Sequence, residues 1–269
     1  MRNYIIILLI VILSLSFAYA KKGQITCSGS TTVLPIAQAG AEAFMDSHPE
    51  YNISVRGGGS GVGIAALQNG TVQIANSSRP IKSKEISACK AKGINPTTYV
   101  VANDGIAIVV HKSNPIRDLS ITQIRDVYTG KITNWQELGG PSLPIVVVSR
   151  DVASGTFEVF NEKALNGAKV AASAQLLASN NAVVSAVGST PGGIGYTGLG
   201  YINSDVKVVS VENITPSESS VKDGSYKLSR KLYMYTNGKA TGGVGSFIGW
   251  LQSDAGQKIV EEQGFISIK

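Results

Sequence analysis

Histidine and cysteine are both scarce in this chain: His48, His111, Cys27 and Cys89 are the only ones among 269 residues. Neither histidine lies at ligand spacing from a cysteine, so the sequence offers no basis for a metal site and none for a cofactor. Hydrolytic chemistry is disfavoured too, because a nucleophilic serine needs a neighbouring base and neither histidine adjoins a nucleophile elbow. No Gly-Lys-Ser or Gly-Lys-Thr sequence exists for a P-loop. Gly61-Val62-Gly63-Ile64-Ala65-Ala66, with Glu85 downstream, meets only the loosest dinucleotide pattern. Basic residues outnumber acidic ones by 24 to 18, a net charge of +6, yet no run of five cations occurs. Weak attraction for anions is expected and a nucleic-acid groove is not. Repeats of fixed period and low-complexity tracts are absent as well.

The long apolar run that does occur is at the start. Met1-Arg2-Asn3 is a short basic opening, Tyr4 to Phe17 is almost wholly apolar, and Ala18-Tyr19-Ala20 has the small-x-small form of a cleavage site. Residues 1–20 therefore read as a signal peptide, with an uncleaved membrane anchor as the alternative. The protein is expected outside the cytoplasm, periplasmic or at the cell surface. No cysteine follows the small residues, so a lipoprotein anchor lacks its attachment point. In an oxidising compartment Cys27 and Cys89 could form a disulfide or remain two small buried thiols.

Removing residues 1–20 from 269 leaves 249, enough for one large domain or two ordinary ones. Short apolar runs alternate with amphipathic stretches, the pattern of an α/β protein. Strands are expected at Gln24–Thr26, Asn52–Arg56, Val72–Ala75, Pro144–Ser149, Gly192–Tyr196, Val206–Val211 and Leu232–Tyr235. Helical spacing runs through Val33 to Phe44, Ile64 to Gln68, Ile121 to Thr129, Phe157 to Leu165, Gln175 to Gly188 and Phe247 to Ile259. Val100 to His111 is strongly apolar but interrupted by Asn103-Asp104-Gly105, as where a chain crosses between lobes or approaches a ligand. Ile214 to Ser225, with Pro216 and Gly224, reads as a connection.

A glycine and hydroxyl cluster occurs three times, each between a strand-like and a helix-like run: Cys27 to Thr32, Gly57 to Gly63, and Arg150 to Thr156. A strand-to-helix turn leaves backbone N–H groups unpaired at the positive end of the helix dipole, which makes each a small anion socket or simply a helix cap. Gly57 to Gly63 holds five glycines in seven residues, a cost in backbone entropy that implies close approach or positive φ. Arg150 adds a planar fork suited to an oxyanion.

Gly29-Ser30-Thr31-Thr32-Val33-Leu34-Pro35, then Gly57 to Gly63, then Asn76-Ser77-Ser78-Arg79-Pro80, then Arg150 through Ser154-Gly155-Thr156 occur in one order. In that order, and with Asn103-Asp104-Gly105-Ile106-Ala107 and the ending Gly264-Phe265-Ile266, the chain resembles the phosphate-binding proteins of high-affinity phosphate ABC transporters. The resemblance implies a two-lobed α/β fold of the periplasmic-binding-protein kind (type II), with two chain crossings and a cleft that closes on one dehydrated phosphate. Lobe 1 would comprise 23–104 and the return segment 226–269, with lobe 2 at 105–225. It also implies phosphate donors at Ser30, Thr31, Thr32, Ser60, Arg150, Ser154, Gly155 and Thr156, a membrane permease as partner, and a monomer without enzymatic activity. Where longer members of the family carry an aspartate, this chain has Ser78. Asp104 is the expected replacement acceptor for the phosphate proton, which sulfate lacks. The alternatives are a binder of sulfate or molybdate, and a secreted phosphatase or adhesin on the same scaffold.

Overall fold

The computed structural model describes residues 23–269. The expected leader at 1–20 lies outside them. Ten strands form a sheet in the order β2-β1-β3-β10-β4-β8-β6-β7, with β9 alongside β4 and β5 (Asp118–Leu119) alongside β9. β1 (Gly23–Gly29) lies parallel between β2 (Tyr51–Gly58) and β3 (Ile74–Ser77). β10 (Ser229–Asn237) runs antiparallel to both β3 and β4 (Pro96–His111). β4 also pairs antiparallel with β8 (Gly193–Gly198) and β9 (Val206–Val211), while β6 (Val146–Arg150) is parallel to β8 and to β7 (Gln175–Leu177).

β4 is the strand that organises the molecule. From Pro96 to Gly105 its partner is β10; from Ile106 onward its partners are β8 and β9. Side chains alternate along a strand, and here Ile106, Ile108 and Val110 enter one apolar cluster while Ala107 and Val109 enter another on the opposite face. A strand covered on both faces reads as a continuous apolar run. Asn103-Asp104-Gly105 does not break it, because backbone pairing continues through the polar residues at the place where the partners change.

A separate core joins distant parts of the chain. Ile25, Ile53 and Ile74 from the first strands meet Phe44 of α1 (Leu34–Ser47) and Leu232, Phe247, Val260 and Phe265 from the end of the sequence. α1 buries Ile36, Ala37, Gly40, Ala41 and Phe44, one stripe at helical spacing, and Pro35 stands in its first turn where no N–H is missed.

Several elements differ from expectation for local reasons. Ser179 caps a helix by accepting from the Ala182 N–H, so Gln175 to Gly188 divides into β7 and α6 (Asn180–Gly188). Ser253 likewise starts α9 (Asp254–Glu262) and separates it from α8 (Gly242–Leu251), where one C-terminal helix was expected. The polar stretch after Ile214 contains the short helix α7 (Glu218–Lys222), capped by Ser217. Helix α3 (Ser83–Lys90) has weak apolar patterning and was not foreseen. α4 spans Ile121–Tyr128, close to the expected bounds. Cys27 and Cys89 are buried free thiols, with no disulfide between them.

Candidate functional site

The three glycine and hydroxyl clusters come together. Ser30, at the end of β1, accepts from the Thr32 and Val33 amides and so caps the turn into α1. Ser60 opens α2 (Ser60–Gln68), and its hydroxyl accepts from the Ser78 N–H at 3.0 Å while lying 3.3 Å from the Ser78 hydroxyl. Ser154 caps α5 (Gly155–Phe160), which runs on into a π-helical turn, Asn161–Leu165. Gly155 is so close to the first half that an added Cβ would stand 2.3 Å from Ser60 Oγ and 2.8 Å from Ser78 Oγ. Thr32 and Thr156 hydroxyls meet at 3.0 Å.

The dense glycine loop has a specific use. The Gly61 N–H donates to the Ala153 carbonyl at 3.0 Å, joining α2 to the loop before α5. Gly59 has φ of 99°, and a Cβ there would lie 2.6 Å from the same carbonyl. Only a residue without a side chain permits both the backbone conformation and the approach.

Arg150, at the end of β6, is 1% exposed. Its Nε donates to the Leu177 carbonyl at 3.0 Å, and Nη2 to the Ala178 carbonyl at 2.9 Å and the Thr31 hydroxyl at 3.1 Å. Nη1 is buried with no hydrogen-bond partner. No carboxylate forms an ion pair with Arg150 among the described residues. Asp151 does not clamp it, since Asp151 Oδ1 accepts from the Ala153 amide instead. Burial pulls the guanidinium below its ordinary pKa, the direction expected of a desolvated cation without a counterion.

Asp104 is fully buried. Its Oδ2 accepts from Arg230 Nε at 2.9 Å and Nη2 at 2.7 Å, and its Oδ1 from the Leu199 N–H at 3.0 Å. Arg230 Nη2 also lies 3.3 Å from the Thr32 hydroxyl. Arg230 was not among the expected site residues, because the late strand was read only from Leu232; its place opposite Asp104 in the β4–β10 register is the signal that pairing supplies. Asn180 was missed for a related reason, hidden inside an expected long helix. Its Nδ2 donates to the Thr31 and Thr32 hydroxyls at 3.1 and 3.2 Å, while its Oδ1 accepts from Thr197.

Ser30, Thr31, Thr32, Ser60, Ser78, Asp104, Arg150, Ser154, Gly155 and Thr156 are thus all buried around one junction between the two halves. Two cations, Arg150 and Arg230, and one anion, Asp104, leave a buried balance of +1. A buried charge without a counterion is costly, and directed hydroxyl and amide donors beside it are suited to a small oxyanion.

Two α/β halves that share one long strand, β4, and bury polar groups where they meet define a two-lobed solute-binding protein. A family model described as a PBP superfamily domain matches residues 19–255. The phosphate-binding protein PstS of Bacillus subtilis is 36% identical over 248 residues, covering 91% of this chain and 81% of its own. Protein SphX of Synechococcus elongatus is 34% identical over 270 residues, covering 93% and 79%. Among solved structures, a putative phosphate ABC transporter substrate-binding protein with bound phosphate from Clostridium perfringens aligns with a TM-score of 0.85 and 37% identity, covering 92% of this chain and 100% of that one. The chain belongs to the PBP superfamily, in the family of the PstS-type phosphate-binding proteins.

Proposed function

We propose that this protein captures inorganic phosphate between its halves and delivers it to the membrane permease of a phosphate ABC transporter. The observation that carries this reading is Arg150, a buried guanidinium with no carboxylate partner and one unsatisfied donor, set among hydroxyls from both halves. Its similarity to PstS-type relatives supports phosphate as that anion. The binding set is Ser30, Thr31, Thr32, Ser60, Ser78, Asp104, Arg150, Ser154, Gly155 and Thr156. Ser30 and Ser154 contribute chiefly by holding their turns. Asp104 accepts a hydrogen bond from the protonated oxygen of phosphate, as a carboxylate whose oxygens can each accept more than one donor beside the Leu199 N–H and Arg230. Micromolar capture needs about 8 kcal/mol. Charge-assisted hydrogen bonds of about 1.5–3 kcal/mol each supply this without chemistry.

Lobe 1 is taken as residues 23–104 and 226–269 and lobe 2 as 105–225, a division supported by the change of β4 partners after Gly105. The protein works as a monomeric receptor outside the cytoplasm and not as an enzyme. His48 stacks on Phe44 and His111 bonds Ser113, so neither serves the site. Among the described residues no acid, cysteine and histidine group could hold a metal, and no helix is long and apolar enough to cross a membrane. Calorimetry of ligand-stripped protein tests the reading: phosphate should bind once per chain, with sulfate and molybdate far weaker. Failure to bind phosphate would overturn it, and preference for sulfate would assign the site to that anion instead.

A further inference from the structure

The segment carrying Ser78 and the helix carrying Thr156 are joined a second time, outside the hydroxyl cluster. Arg79 follows Ser78 directly and is 3% exposed. Its Nη1 and Nη2 donate to the two carboxylate oxygens of Glu85 at 2.8 and 2.7 Å, and Nη1 also donates to the Pro80 carbonyl. The Lys82 N–H donates to Glu85 as well, and the Ile81 N–H donates to the Tyr235 hydroxyl, so this loop is held on its own half of the molecule. From the other half, Glu158 on α5 brings Oε2 to 2.8 Å from Arg79 Nε and pairs with Lys82 Nζ. Among the described residues these are the only ion pairs that join the two halves.

The charges match only across the junction. Arg79, Lys82 and Glu85 sum to +1 on one side and Glu158 supplies −1 on the other. An exposed ion pair would contribute little, but the Arg79 and Glu158 side chains are only 4% and 18% exposed. Burial works against the Arg79 charge, and Glu85 and Glu158 outweigh it, holding the guanidinium above its ordinary pKa. Arg79 is held by Glu85 and the Pro80 carbonyl independently of Glu158, so its position does not depend on the contact across the junction. Val159 and Phe160, next along α5, pack into the apolar cluster that holds Ile106, Ile108 and Val110, so the helix carrying Glu158 is anchored in its own half. Glu158 lies within one helical turn of Gly155 and Thr156.

We infer that Glu158 is a positioning residue of the anion site: by docking on Arg79 and Lys82 it seats the first turn of α5 against Ser60 and Ser78 and prolongs the closed state without touching the anion. This rests on the reading that the halves close on phosphate. Since interactions formed on closure act mainly on dissociation, their loss should speed release.

Stopped-flow phosphate exchange and calorimetry on wild type, Glu158→Gln and Lys82→Gln test it. Glu158→Gln should release phosphate about tenfold faster, with association changed by less than about twofold and the phosphate-to-arsenate preference unchanged. Lys82→Gln, at a half-exposed position, should give a smaller change in the same direction, and the double variant should add little to Glu158→Gln alone. High salt should speed release from wild type more than from Glu158→Gln. If wild type binds phosphate and Glu158→Gln leaves the dissociation rate or its salt dependence untouched, the inference is wrong. A changed preference between anions would also overturn it, by making Glu158 part of the contact surface. If wild type binds no phosphate, it is the proposed function that fails.

Discussion

Asp104 and Arg230 stand directly opposite each other in the antiparallel register of β4 and β10, and two guanidinium donors of Arg230 converge on one carboxylate oxygen of Asp104. Burial raises the Asp104 carboxyl above its ordinary pKa, and the Arg230 cation and the Leu199 amide pull against that rise. Arg230 therefore favours the ionised form of a group that complete burial would otherwise neutralise. In its ionised form the carboxylate can only accept, which is what a protonated phosphate would require and what sulfate could not satisfy.

Replacing Asp104 with Asn exchanges an acceptor for a group that can also donate. Competition titration should show the phosphate-to-sulfate preference fall by about tenfold or more, the size of one charge-assisted hydrogen bond. Unchanged discrimination would remove Asp104 from the acceptor role.

Arg150→Met removes the buried cation that lacks an ion-pair partner. At a hundredfold excess over Kd a ligand stabilises the folded state by about 2.7 kcal/mol, so wild type should melt at a higher temperature with phosphate than without. In the variant that ligand-dependent rise should vanish at the same phosphate concentration. Persistence of the full rise would place the anion elsewhere.

Gly155→Ala introduces a Cβ at 2.3 Å from Ser60 Oγ and 2.8 Å from Ser78 Oγ, between the two halves. Overpacking of this kind costs about 1–3 kcal/mol, equivalent to a loss of about five- to 150-fold in phosphate affinity. Small-angle scattering should report a more open molecule in phosphate than wild type. Equal scattering curves together with equal affinity would show that the contact can be relieved without separating the halves.

Burial would raise the Glu85 carboxyl, but hydrogen bonds from Arg79 and the Lys82 amide outweigh it and hold the carboxyl below its ordinary value. Because the folded value lies below the unfolded one, the stabilisation is complete above the ordinary glutamate range and is lost as pH falls through the lowered folded value. Urea unfolding of wild type and Glu85→Gln should therefore differ at neutral pH and converge in acid. A gap that stays constant into strong acid would show that charge is not its source.

Much of this was legible in the sequence because the relevant rules are local. The α1 stripe, the apolar half of β4 and the three turns before helices depend on neighbours a few residues away. The hydroxyls of Ser30, Thr31, Thr32, Ser60, Ser154 and Thr156 sit in those turns, whereas a role for them or for Ser78 in holding phosphate is implied by the family resemblance and not by local pattern. What stayed hidden depends on pairing across the chain. Arg230 acquires meaning only when β10 is laid beside β4, and Asn180 only when Ser179 is seen to end one element and begin the next. Asn103-Asp104-Gly105 stands out in the sequence as a polar interruption, but its continuity as strand comes from partners more than 90 residues away.

The core around Ile25, Phe44 and Ile74 is completed by Leu232, Phe247 and Phe265, with the other half of the molecule lying between them in the sequence. A chain emerging from its N-terminus can therefore gather most of the core around Ile106, Tyr128 and Tyr196, while the core around Ile25 waits for the final forty or so residues to arrive. The earliest segment to be made is among the last to acquire its packing. For that interval β1, β2 and β3 can pair with one another but lack the apolar cover that Leu232, Phe247 and Phe265 supply.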